Sequence, residues 1–355
     1  MLSIGLDVGG ANIKMAVCRA ATNRGKGIEI QEVSSTYFPF WKQHRNFPDT
    51  IGSLLEPYGG RIDNLLVTTT AELSDCFKSK AEGVRSVLAG VAGVVPDAKV
   101  LLNSGDVVGL DTGLEKVDAV AAANWVAPAL LTGQHHPQAL LIDSGSTTTD
   151  ITPIVDGEPA VNDPSDMGRM IDNQLVYTGA TRTNVATVTD KVILDRKMIP
   201  VASEYFATMA DVNLLLGNIS PGEYSVPTAD NRGISKTECM RRLSRVVCAD
   251  LNTLPSRAIL TIAEYIHRKQ VDRVAASVEA VVRENDLSPS TPCIVAGSGI
   301  RSLAGPAARA AGLTRILIFG DFLARSLDVS APRKQDISAS APAVALCILA
   351  NRGML

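Results

Sequence analysis

Aromatic residues make up only 4% of the 355 positions, which argues against a surface that stacks nucleotide bases. An excess of one charge sign is missing too. The 34 Lys and Arg against 37 Asp and Glu leave −3, so nucleic acid and anionic membrane have no electrostatic claim as main partners. Long apolar runs are absent: Val87–Val95 and Val344–Ala350 are the most apolar stretches, and both are too short to span a bilayer. Met1-Leu2-Ser3-Ile4 leads straight into a predicted strand, without the charged segment and cleavable apolar run of a secretory signal. The six cysteines (Cys18, Cys76, Cys239, Cys248, Cys293, Cys347) form no C-x-x-C pair, so reduced structural thiols are expected in place of a zinc site. Four histidines are too few for a metal cluster, and His135-His136, beside Gly133 and Pro137, reads as a solvated loop. These absences point to the cytoplasm. The 46% hydrophobic content is enough for a real core, which excludes a disordered tail protein, and the length allows two domains.

What the chain does have is an internal repeat. Ile4-Gly-Leu-Asp7-Val-Gly9-Gly10-Ala-Asn12-Ile-Lys14 near the start is matched by Leu140-Leu-Ile-Asp143-Ser-Gly145-Ser146-Thr-Thr148-Thr-Asp150 near the middle. Superposing Asp143 on Asp7 brings Gly145 onto Gly9, with a short polar residue three positions later in both copies. Each copy is an apolar run, an acid, a small-residue turn and a second β-rich run, Ile13–Cys18 or Ile151–Val155; this is the pattern of a hairpin with glycine at its tip. The repeat predicts two domains, residues 1–136 and 137–355, with the closing helix Pro342–Ala350 returning to the first.

Between these marks the pattern predicts strands over Ile28–Tyr37, Asn64–Thr69, Pro292–Ala296 and Ile316–Phe319. It predicts helices over Lys116–Leu131, stopping at Gly133, and over Ser203–Leu216 and Val271–Arg283. Ser220–Lys236, rich in Pro, Gly, Asp and Asn, reads as a loop.

A tight small-residue turn exposes backbone N–H groups that can surround an anionic oxygen, and two register-matched copies make phosphate clamping the leading expectation. The phosphate candidates are Gly9, Gly10, Asn12 and Lys14 in the first hairpin and Gly145, Ser146, Thr147 and Thr148 in the second. Gly297-Ser298-Gly299, after a late strand, is a third candidate. Asp7 and Asp143 end their strands where a carboxylate can hold Mg²⁺ against phosphates, and both are candidate metal ligands and catalytic residues, together with Lys14. Glu72 and Asp211 are further catalytic candidates: Glu72 follows the Thr68–Thr70 strand end, and Glu204, Thr208 and Asp211 fall at i, i+4, i+7. Tyr177, Arg182 and Glu204 are candidates for substrate contact, Arg182 being suited to phosphate. Arg241, Arg242 and Arg245 alternate with Leu243, Val246 and Val247 and read as the solvated face of a helix.

On Asp7–Lys14, Asp143–Asp150 and Val295–Gly299 the sequence resembles the actin/sugar-kinase/Hsp70-type superfamily, whose first phosphate, second phosphate and adenosine motifs have these forms. That resemblance implies an α/β fold of two RNase H-like domains flanking a central cleft. More narrowly, the chain resembles the hydantoinase A/oxoprolinase-like group and its short tetrahydromethanopterin-linked one-carbon-transfer pathway proteins. Archaeal relatives of these include an ether-forming synthase of methanofuran biosynthesis. The stretches Thr68–Cys76, Leu175–Thr183 and Ser203–Val212 carry this narrower likeness beside the two hairpins. It implies a transferase that joins a furanylmethyl diphosphate to the phenol of a (glutamyl)tyramine, giving an aryl ether and pyrophosphate with Mg²⁺ as cofactor. The partners are then small molecules, neither nucleic acid nor membrane, and a homo-oligomer is compatible with the same reading.

Two alternatives stay open at this point. An ATP-dependent small-molecule kinase of the same fold would close Gly297-Ser298-Gly299 over adenosine, with Glu72, Asp106 or Asp211 as base. Ala11, where Thr is common, and Ser146, where Gly is common, weaken it. A non-catalytic, nucleotide-controlled switch is the other.

Overall fold

The first hairpin sets the centre of the first sheet. In the computed structural model, which describes residues 1–20, 27–327, 329–330 and 334–353, β1 (Leu2–Gly9) turns Leu2, Ile4, Leu6 and Val8 to one face and Ser3, Gly5 and Asp7 to the other, and it is buried from Leu2 to Val8. β2 (Asn12–Ala20) and β3 (Ile28–Tyr37) follow as an antiparallel meander. β4 (Asn64–Thr70) and β5 (Lys99–Leu101) lie parallel to β1 on its other side, and β6 (Val107–Gly109) closes that edge antiparallel to β5. The core order is thus β3-β2-β1-β4-β5, with the short strand Val329–Ser330 outside β3. Leu6, Val8 and Ile13 pack with the helices Phe47–Leu55 and Lys80–Ala92, through Phe47, Ile51, Val84 and Leu88. Phe38, Phe40 and Phe47 pack edge-on or tilted at centroid separations of 5.0–5.9 Å within this core. The helix Ala341–Asn351 packs on β1 and β2, where the Cys347 thiol donates to the Ser3 carbonyl at 3.2 Å.

The second hairpin sets a second sheet of the same order. β7 (Ala139–Ser144) and β8 (Thr149–Val155) form it, with β9 (Glu158–Pro159) paired to the far end of β8. β10 (Leu175–Val176) flanks β8 antiparallel. The ribbon β11 (Lys191–Leu194) and β12 (Lys197–Pro200) stands apart as its own two-stranded sheet. β13 (Cys293–Ala296) and β14 (Ile316–Ile318) complete the order β10-β8-β7-β13-β14. A second core gathers Val212, Leu215, Leu243, Ile259, Ile262 and Ile266, with the long helix Ser256–Glu284 supplying the last three. No helix among the described residues is long and apolar enough to cross a membrane.

The chain divides into two compact units that are not simple halves. One holds Met1–Leu141, Thr152–Ile171 and Leu317–Leu355; the other holds Ile142–Ile151 and Asp172–Ile316. In place of a single break near residue 136, the chain therefore passes between the units four times.

Four local expectations are corrected. Lys116–Leu131 is not one helix: Val117–Val120 and Val126–Gly133 are separated where Ala121 bridges Thr69 and Ala122 takes φ 53°. The helix predicted over Ser203–Leu216 is only Met209–Leu215, because Thr208 bridges Asn184 in extended backbone and the Thr208 N–H bonds the Asp211 carboxylate as a cap. Glu204, Thr208 and Asp211 consequently share no helix face. Arg242 is not solvated but completely buried on the helix Lys236–Arg245. His135 and His136 are half-buried, and their rings lie 6.0 and 5.5 Å from that of Phe322.

Candidate functional site

Register places the first acid. Asp7 pairs with Lys14 across β1–β2 and with Thr68 across β1–β4, so all three side chains leave the same face of the sheet. Asp7 is buried, and the Lys14 ammonium lies 3.6 Å from its Oδ2. The turn Gly9–Asn12 is pinned from behind: the Gly10 and Ala11 carbonyls accept from the N–H groups of Phe40 (3.0 Å) and Phe38 (2.9 Å). Carbonyl oxygens that would repel an anion are thereby turned into the fold.

In the other unit the same device recurs with different partners. Gly145 N–H to the Thr148 carbonyl (2.9 Å) closes the second turn. The Gly145 carbonyl accepts from Ala180 (2.9 Å), and that of Ser146 from Thr181 (3.2 Å) and Arg182 (2.8 Å). Gly179 lies flat on this turn, where a Cβ would come 2.5 Å from the Thr147 nitrogen. Two buried amides lock the loop in place: Gln270 donates to the Thr178 hydroxyl and the Gly179 carbonyl (both 2.8 Å), and Asn213 donates to the Ala180 carbonyl (2.8 Å).

The late Gly-Ser-Gly joins this hairpin. Gly299 N–H donates to the Ser144 carbonyl at 2.8 Å, and Gly297 sits at φ 87°, where any Cβ would overlap that same oxygen and Asp143 Oδ1. Ser298 between them is exposed, and a π-helical turn, Ile300–Ala304, follows immediately. Asp143, Gly145–Thr148 and Gly297–Gly299 therefore form one continuous surface of the second unit. Gly297→Ala is expected to cost at least about 1–3 kcal/mol through its strained φ alone, and more through the overlap. A shift in the denaturant midpoint measures it, and an unshifted midpoint would contradict this packing.

The remaining candidates divide. Tyr177 is exposed and Arg182 half-buried, both on the loop that wraps the second hairpin. Burial raises the phenol of the neighbouring Tyr205 above its usual range, with the Arg182 charge pulling the other way. Glu204 is exposed on irregular chain outside the helix. Asp211, expected as a base, is committed elsewhere: Oδ1 accepts from Arg242 Nη2 (2.7 Å), Arg242 Nε (2.9 Å) and the Tyr224 hydroxyl (2.8 Å), and Oδ2 from the Thr208 N–H (3.1 Å). With both oxygens engaged and no exposure, it acts as a structural anion.

Glu72 is the buried acid of the first unit. It lies two residues beyond β4 and is 2% exposed. Burial pushes its carboxyl up to about 7, Asp166 adds to the push, and Lys80 and the Ala122 N–H oppose it. Lys80 itself bonds Asp166 at 2.9 Å.

Among the described residues no three His, Cys, Asp or Glu side chains gather to hold a metal ion. Each hairpin instead offers one hard carboxylate beside an amide-lined turn, a donor set that suits Mg²⁺ carried largely by water and phosphate oxygens.

Two sheets whose core strands run 3-2-1-4-5, each opening on an Asp-x-Gly hairpin, define a protein of the actin/sugar-kinase/Hsp70-type α/β class. Residues 65–324 match the family described as Hydantoinase/oxoprolinase, and the chain belongs to that family. It is 31% identical over 290 residues to a synthase from Methanocaldococcus jannaschii, covering 81% of this chain and 84% of that protein. The product in that protein's name is a furan-2-yl methanamine bearing a (gamma-L-glutamylamino)ethyl-phenoxymethyl group. A synthase of the same name from Methanococcus vannielii is 37% identical over 142 residues, 40% of this chain and 64% of that one. Among solved structures, nucleotide-free acetone carboxylase aligns with 87% of this chain at TM-score 0.47 and 14% identity, and the chain spans 46% of its length.

Proposed function

We propose that this chain is an ether-forming transferase that condenses a furanylmethyl diphosphate with the phenol of a glutamyltyramine-type partner. The observation that carries the reading is the similarity over most of both chains to a synthase whose product holds a furan, a CH₂–O–aryl link and a glutamylated aminoethyl arm. The bond formed joins the furan CH₂ carbon to the phenol oxygen, the bond broken joins that carbon to the diphosphate, and the phenol's proton ends on the released pyrophosphate.

The chemistry asks for little beyond charge control. An electron-rich furan supports positive charge on its CH₂ carbon, so the barrier lies mainly in the departing diphosphate. The hairpin amides of Gly9, Gly10 and Asn12 with the Lys14 ammonium in one unit, and those of Ser146, Thr147 and Thr148 in the other, are each suited to phosphate oxygens, and Gly297–Gly299 extends the second cradle. Asp7 and Asp143 are the carboxylates that would hold Mg²⁺, whose contribution when bound is to neutralise phosphate charge. Tyr177 and Arg182, on the loop over the second hairpin, are the residues this reading assigns to contact with the phenolic partner. A phenol with a pKa of about 10 is a poor nucleophile at neutral pH, so a strongly activated CH₂ carbon matters more than a strong base.

The test is pyrophosphate release by the purified chain with Mg²⁺. Release is expected only when furanylmethyl diphosphate and phenolic amine are both present. ADP formation driven by a small alcohol or acid would replace this reading with a kinase.

A further inference from the structure

The hairpin chemistry leaves the buried Glu72 unused, and neighbouring backbone is shaped around it. Glu72 Oε2 is buried and has no hydrogen-bond partner among the described residues. Ala122, whose N–H reaches the carboxyl, holds the left-handed φ of 53°, a conformation that costs a non-glycine residue about 1–2 kcal/mol. Gly83 packs so tightly on the Glu72 backbone that a Cβ would lie 2.6 Å from its Cα. Thr68 on β4, buried at 0% exposure, also has an unpartnered hydroxyl. Lys80 does not neutralise Glu72 by direct contact, because its ammonium bonds Asp166.

An ionised carboxylate buried with an empty oxygen is costly unless a cation arrives to complete it. Position indicates which cation. Gly9 is in register with Thr70, and Glu72 follows two residues later. Strand spacing at Thr70 and the reach of the two residues beyond β4 keep its Cα within roughly 12 Å of Gly9. A furan with one CH₂ arm on each side fits within that span.

We propose that Glu72 is the recognition residue for a primary ammonium on the furan substrate, its free Oε2 accepting an N–H from an aminomethyl arm opposite the diphosphate-bearing CH₂. This rests on the furan diphosphate reading above. The methanamine in the relative's product name supplies such a group, which passes through ether formation unchanged. An ammonium brings three N–H donors, one of which the free Glu72 Oε2 accepts.

The experiment is calorimetric binding, with Mg²⁺, of two diphosphates that differ only in the aminomethyl arm. Wild type is expected to favour the amine-bearing compound about 10- to 100-fold, the range of a charge-assisted hydrogen bond. In Glu72→Gln and Glu72→Ala the preference should shrink to about threefold or less, with thermal unfolding reporting that both variants are folded. An undiminished preference in the folded variants overturns the proposal, as does wild type that binds both compounds equally. Loss of turnover in Glu72→Gln without any change in the preference also overturns it, and makes Glu72 a base. The condensation reading fails separately: wild type that shows the Glu72-dependent preference yet releases no pyrophosphate supports the ammonium site and removes the reaction.

Discussion

Asp7→Asn should lower kcat by about 100- to 1,000-fold, the scale expected when a preorganised charge contact to the reacting group is lost. The substitution keeps the shape of a side chain that is 4% exposed and changes only its charge. Stability should move little. The Lys14 ammonium that faces Asp7 at 3.6 Å keeps a quarter of its side chain in solvent, and partly exposed pairs contribute about 0–1 kcal/mol. Asp143→Asn should act alike, because Asp143 occupies the matching place beside the second turn and is packed by Gly297. Steady-state rates with a parallel denaturant titration separate the two effects. Wild-type turnover in either variant would detach the hairpin carboxylates from the chemistry.

Arg242→Ala should destabilise the protein by about 3–5 kcal/mol, the cost of stranding a buried charge. Arg242 and Asp211 are both fully buried and meet through Nε and Nη2, while Nη1 bonds Asp230 (3.0 Å) and the Gly233 carbonyl (3.1 Å). Against the opposing pull of burial, Asp211 raises the guanidinium above its ordinary value. Burial, and then Asp211, push the Tyr224 phenol well above its usual range. Removing the guanidinium leaves Asp211 with a phenol and one backbone N–H, and leaves Asp230 with Arg245 and the Arg232 N–H alone. The same helix that Asp211 caps carries Asn213, which holds Ala180 over the second hairpin. Weaker diphosphate binding should therefore accompany the lost stability. Chemical unfolding monitors the first, and a change below about 1 kcal/mol would show that water or another cation already serves Asp211.

The strands and hairpins were legible because their signals are local. β3 runs over Ile28–Tyr37 as its apolar and β-branched content predicts, and each Asp-x-Gly turn folds where its small residues allow. The junction of Gly297–Gly299 with Asp143–Ser144 was not legible, since it depends on strand order in three dimensions. Tertiary partners also decided the misread elements. Lys116–Leu131 reads as helix through its alanines, yet the bridge of Ala121 to Thr69 and the left-handed Ala122 interrupt it, and a new helix starts at Val126 with Pro128 in its first turn. Arg242 fits a solvated helix face by spacing, and its two acids lie far along the chain, one of them in a loop. Gln270 was missed despite a usable signal: it falls four residues from both Ile266 and Val274, in the middle of an apolar stripe. A polar residue there either strands its amide or serves a specific partner, and Gln270 serves Thr178 and Gly179.

In the proposed reaction, a fold with two Asp-x-Gly hairpins would hold a substrate's own diphosphate while an ether is made. The most direct test mixes purified chain, Mg²⁺, furanylmethyl diphosphate and glutamyltyramine without nucleotide, and counts products by mass spectrometry and a pyrophosphate assay. Ether and pyrophosphate appearing in equal amounts is the predicted result. Absence of ether, or ether that forms only when ATP is added and ADP accumulates, would contradict it.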